Sequence, residues 1–124
     1  MGKPLGQYSQ IARVKASEFL FIAGQVATDG SGSPVGTEDF DGQCRQVFVN
    51  IDAALKSQGA GFANVGEFTT YLVHSQDIAQ FMAFRVREFP RLFASGKYPP
   101  NTLLIVDRLV QEPFLIEVAT VAAL

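Results

Sequence analysis

The 124-residue chain has the length of one domain, and its 48% hydrophobic residues, with eleven Phe and no Trp, give it a large aromatic area to bury. Its formal net charge of −2, with ten scattered Lys and Arg, argues against nucleic acid as a partner. A lone Cys44 excludes a disulfide framework or a multi-cysteine metal site within one chain. No apolar run approaches the roughly 20 residues needed to span a bilayer, and no basic stretch followed by an apolar core opens the chain. The expectation is a soluble cytoplasmic protein of a reducing compartment, free of membrane contact and helped by oligomerisation.

The alternation of Ile11, Arg13 and Lys15 with Ala12, Val14 and Ala16 predicts a half-exposed strand. Ser17-Glu18 would turn it into a second strand over 19–26, rich in aromatic and aliphatic residues and ending in small ones, so that the two form a hairpin. Residues 28–36 hold Asp29-Gly30, Ser31-Gly32 and Ser33-Pro34 and read as an exposed loop. Over 37–58 the residues Phe40, Cys44, Val47, Phe48, Ile51, Ala54 and Leu55 recur at helical spacing. Thr37 is placed to cap this helix, Glu38 and Asp39 suit its positive end, Lys56 suits its negative end, and Gly59 is placed to stop it. Cys44 lies within the buried stripe and reads as an inert core thiol.

Residues 65–74 return to strand character and end on His74, the single histidine, which has no partner pattern for a metal or a catalytic triad and reads as a surface or capping residue. Asp77 with Gln80 resembles a capping box, and Ile78, Phe81, Met82, Val86, Phe89 and Phe93 mark a second amphipathic helix. Pro90 predicts a kink or break near 86–89 before Gly96 ends the segment, and Arg85, Arg87 and Arg91 read as the solvated face. In Tyr98-Pro99-Pro100-Asn101-Thr102 the prolines stiffen the approach to a continuous Leu103-Leu104-Ile105-Val106 run, which reads as a strand buried on both faces. Asn101 at its mouth is either a ligand contact or a turn residue. The last strand, 114–121, carries Glu117, a carboxylate that must face solvent, pair with a cation or have its pKa raised by burial. The order strand, strand, helix, strand, helix, strand, strand suits an α+β fold with both helices on one face of a sheet.

Several stretches together resemble one family, the RidA/YjgF proteins, also called L-PSP endoribonuclease-like. Gly6-Gln7-Tyr8-Ser9-Gln10 is similar to the family's amino-terminal Gly-Pro-Tyr-Ser-Gln, with Gln7 in place of proline. Phe21-Ile22-Ala23-Gly24-Gln25 resembles its Ser-Gly-Gln strand end, with Ala23 for serine. Gln43, Gln46 and Asn50-Ile51 match its first helix, and Arg108-Leu109 and Ile116-Glu117 match its closing strands. The resemblance spans nearly the whole chain as a single domain.

That resemblance implies a chorismate-mutase-like fold, a mixed sheet with two helices on one face. It also implies a homotrimer whose sheets form a barrel-like core with small-molecule clefts between subunits. Active members hydrolyse reactive imines and enamines to a 2-oxo acid and ammonia, with no metal or cofactor. An arginine in a Pro-Ala-Arg stretch holds the substrate carboxylate, and a glutamate of the last strand positions or activates water. Here Pro99-Pro100-Asn101 stands at that stretch and the arginine is absent. The implied ligand contacts are Tyr8, Gly24, Gln25, Asn101 and Thr102, with Glu117 as the acid–base group. Arg13, Lys15 and Arg85 are the candidate cations to replace the arginine from the same or another subunit. The alternative to an imine or enamine hydrolase is a trimer that binds or senses a metabolite without turnover. Neither the charge balance nor any base-stacking motif supports the endoribonuclease label.

Overall fold

A computed structural model describes residues 1–124. Strand β1 (Phe19–Gln25) leads to helix α1 (Phe40–Ser57), strand β2 (Val65–Leu72), helix α2 (Ile78–Leu92), strand β3 (Asn101–Ile105) and strand β4 (Ile116–Ala123). The four strands form one mixed sheet in the order β1-β4-β2-β3. The pairs of β4 with β1 and β2 are antiparallel, and β2 runs parallel to β3 across the α2 crossover. The predicted α+β sheet with two helices is the observed architecture.

Alternation sets the two faces of the sheet. Ile116, Val118, Thr120 and Ala122 are buried toward the helices, whereas Glu117, Ala119, Val121 and Ala123 point to the other, open face. The core lies between sheet and helices, where Phe48 meets Phe68 edge-on at 5.6 Å and Phe89 edge-on at 5.4 Å between ring centroids. Phe62, Phe84, Phe93 and Tyr98 extend this aromatic cluster.

Helix α1 starts later than the spacing suggests. Glu38 takes a left-handed φ of 62°, which takes Thr37 out of the capping position, and Asp39 caps instead by accepting from the Gly42 N–H at 3.0 Å. Its far end closes as a Schellman motif: the Gly59 N–H donates to the Lys56 carbonyl, the Ala60 N–H to that of Leu55, and Gly59 has a φ of 72°. Cys44 is fully buried in the apolar stripe, and desolvation pushes its thiol pKa up, in keeping with an inert core role.

Four local expectations are corrected. Residues 11–16 form no strand and no hairpin with β1, because the edge of β1 is left unpaired and β4 takes its other side. Asp77 precedes α2 without a side-chain cap, its Oδ2 buried and unpartnered. Pro90 leaves α2 unbroken to Leu92, since it sits in the exposed final turn, where the Phe93 N–H still reaches the Phe89 carbonyl at 2.8 Å. The Leu103–Ile105 part of β3 is not buried on both faces: β3 is an edge strand, and Leu104 and Ile105 are exposed.

Gln43 and Asn50, both within the stretch that resembles the family's first helix, lock loops to α1. Fully buried Gln43 donates to the Pro113 and Gly36 carbonyls at 2.8 and 3.2 Å and accepts from the Leu115 N–H at 2.9 Å. The Asn50 amide donates to the Val26 and Thr28 carbonyls at 3.0 and 3.1 Å. Gln43→Met keeps the volume and orphans these buried backbone groups, so urea unfolding should show a loss of about 2–4 kcal/mol. An unchanged midpoint would mean that the bonds contribute nothing.

Candidate functional site

Glu117 stands on the open face of β4, directly opposite Tyr71 of β2. On its other side β1 bulges. Ile22 pairs with Thr120 and Gln25 with Val118, which leaves Ala23 and Gly24 together opposite Ala119. The bulge brings the β1 backbone against the carboxylate: a Cβ built on Gly24 would fall 2.1 Å from Glu117 Oε2. Gly24 is therefore a close-approach glycine that makes room for Glu117. The half-buried glutamate has no cation and no hydrogen-bond donor within the chain. Gln25 turns its amide back to the Ala23 carbonyl at 3.0 Å and reinforces the bulge.

Asn101 belongs to the opposite face. It pairs in register with Phe68, whose side chain is in the core, and its Oδ1 accepts from the buried Thr70 hydroxyl at 2.7 Å. Thr102, one residue on, lies exposed on the open face beside Thr69. Asn101 and Glu117 are thus separated by β2 and by the thickness of the sheet, so one chain does not bring them together.

Tyr8 lies with the Asn101 half. The segment 6–9 crosses α2, and Tyr8 accepts from the Leu5 N–H at 3.0 Å while its ring centroid is 5.7 Å from the Arg85 guanidinium. Ser9 ties this segment to the loop before Asn101, its hydroxyl donating to the Tyr98 carbonyl and its N–H to the Pro99 carbonyl at 3.4 Å. Of the cations considered, Arg13 is exposed and lines a groove of about 520 Å³ with Ser9, Lys97 and Tyr98. Lys15 is exposed. None of the ligand-contact residues read from the sequence lines this groove or the second one, of about 320 Å³, between α1 and α2.

Arg85 overturns the solvated-face reading. Arg87 and Arg91 are exposed and paired with Asp41 and Glu88, but Arg85 is only 2% exposed and faces no carboxylate. Its guanidinium lies 4.7 Å from the centre of the Phe81 ring. Nη1 reaches the Gln7 carbonyl at 3.5 Å, Nη2 reaches only the Met82 sulfur at 3.0 Å, and Nε has no partner. Burial lowers its pKa, countered by Tyr8. The signal was in the spacing, since Phe81, Arg85 and Phe89 fall four residues apart on the buried stripe of α2.

No group of three or more His, Cys, Asp and Glu side chains is arranged to hold a metal ion, and no helix is long and apolar enough to cross a membrane. His74 is exposed and makes no capping bond.

The family model described as Endoribonuclease L-PSP matches residues 2–124. A RutC family protein of Pyrococcus horikoshii is 35% identical over 97% of this chain and 89% of its own length. One from Synechocystis is 32% identical over 98% and 88%. The crystal structure of a protein of the conserved Rid family from Yersinia pestis superposes with a TM-score of 0.86 at 30% identity, covering 95% of this chain and 87% of that one. With the mixed sheet, the two helices and the full-length match in agreement, the chain belongs to the RidA/YjgF family.

Proposed function

We propose that the protein works as a homotrimer with small-molecule clefts between subunits, where it hydrolyses a small imine, enamine or related carbonyl compound. The observation that carries this reading is Glu117: an unpartnered, half-buried carboxylate held against Gly24 at a β-bulge, on a sheet face that also exposes Phe21 at 81% and Phe19 at 52%. An apolar face of this kind is suited to a second copy of the chain. A second copy would also supply what one chain lacks, an Asn101 half-site facing a Glu117 half-site.

In this reading the Glu117 carboxylate takes a proton from water as the oxygen attacks the C=N carbon and passes it to the nitrogen, giving a carbinolamine; it then takes the hydroxyl proton and hands it to the amine as the C–N bond breaks, so that C=O forms and ammonia leaves. Asn101 and Thr102 orient the substrate, with Tyr8 and Gln25 at the cleft wall. Asn101 offers a neutral amide where a guanidinium would give a paired, charge-assisted grip on a carboxylate. If that charge were left unpaired, the difference would be about 2–5 kcal/mol. Recognition therefore cannot depend on a cation at position 101, and the same observation favours a second reading, a trimer that binds a metabolite without turnover.

Ammonia release from freshly generated 2-iminobutanoate separates the two readings. The enzyme reading expects a rate above the buffer blank that falls about 10²-fold to 10⁴-fold in Glu117→Gln with the oligomer intact. Turnover that survives this change removes the role of Glu117. A wild-type rate at the blank, with a metabolite that raises thermal stability in a saturable way, supports the binding protein. Gly24→Ala should push Glu117 aside, costing about 1–3 kcal/mol of stability because the new Cβ meets its Cδ and Cγ as well as Oε2, and lowering turnover about 10²-fold. A crystal structure of the variant with Glu117 unmoved would contradict the close-approach role of the glycine.

A further inference from the structure

The structure assigns Arg85 a ligand: we propose that it is the anion-binding group of this chain, taking a small carboxylate under the segment 6–9, which acts as a strap. The geometry is that of an unfinished site. A guanidinium has five N–H donors, yet here the partners are a carbonyl at 3.5 Å and a thioether, with Nε orphaned although the residue is 2% exposed. Gln7 Oε1, from the strap above, is also buried and unpartnered. A buried cation with no anion destabilises a fold, and a core position on α2 would be better filled by methionine or leucine if packing were its only task. A residue that costs stability where it stands is a candidate for function.

The cover is lightly held. The strap is fastened to the rest of the chain by the Ser9 bonds to Tyr98 and Pro99 and by the long Gln7–Arg85 contact. It lies so close to α2 that a Cβ on Gly6 would fall 2.6 Å from Met82 Cε and 3.1 Å from Arg85 Nη2. Lifting it frees one edge of the guanidinium, while Phe81 keeps the plane fixed. A carboxylate fits that edge with two parallel N–H···O bonds, and Tyr8 closes beside it. Because the same strap is bonded to the loop that delivers Asn101, the captured charge sits on the Asn101 side of the proposed cleft. This assignment rests on the hydrolase reading only for the identity of the ligand as a 2-imino or 2-oxo acid.

The test is calorimetric titration of the full-length protein with 2-oxobutanoate, with butanone and sulfate as controls, for the wild type, Arg85→Met, Arg85→Lys and Arg91→Met. Arg85→Met should bind at least tenfold more weakly and Arg85→Lys should keep part of the affinity. Arg91→Met, which removes an exposed arginine of the same helix, should change it less than threefold, and butanone should not bind. Without ligand, Arg85→Met should melt at or above the wild-type temperature. The proposal is overturned by Arg85→Met binding within twofold of wild type, by sulfate binding as tightly as the carboxylate, or by an Arg85→Met protein that fails to fold, which would make the arginine structural. If the wild type shows no binding at all, the proposal fails as well. Turnover of 2-iminobutanoate with KM unchanged in Arg85→Met would remove this assignment and leave the hydrolase reading standing. Arg85-dependent binding without turnover would do the reverse.

Discussion

A four-stranded sheet covered on one face only is the constraint on which the rest of this molecule depends. Strict alternation along β4 sends Ile116, Val118, Thr120 and Ala122 into the aromatic core and leaves Glu117, Ala119 and Val121 on the far side. With no third layer, Phe19 and Phe21 are exposed on the same face as Glu117, paired with Ala123 and Val121 further along the strand. The bulge at Ala23-Gly24 then brings backbone rather than side chain against Glu117, on a face that otherwise mixes the apolar side chains of β1 and β4 with Glu67, Thr69 and Tyr71 of β2. Burial of the helical face stabilises the chain.

The helix-bearing part of the fold was legible because its signals are local. The stripe of α1 needs only helical spacing, and Gly59 announces its end through a backbone conformation that glycine adopts without strain. Residues 11–16 were misread because alternation marks a segment as able to extend but does not supply the neighbour whose N–H and C=O groups would make it a strand. The same gap explains β3. A run of Leu, Leu and Ile looks doubly buried until the strand order places it at an edge.

The site divides in the same way. Glu117 stood out in the sequence as a charge within an apolar strand, and Asn101 stood out after two prolines. That they lie on opposite faces follows from register, Tyr71 opposite Glu117 and Phe68 opposite Asn101, which no short motif encodes. Arg85 was within reach of the sequence, four residues from Phe81 and four from Phe89, but its charge argued for solvent and outweighed its position. A buried guanidinium without an anion and a half-buried carboxylate without a partner each leave local stability short of its optimum.

In the proposed function a site divided between two sheet faces is completed by another copy of the chain. Sedimentation equilibrium of the wild type and of Phe21→Asp at micromolar concentration tests it most directly. The expected result is a wild-type species of three times the chain mass and dissociation to monomer in Phe21→Asp, whose charge would be buried at the shared face. A wild type that sediments as a monomer over the whole concentration range would contradict it.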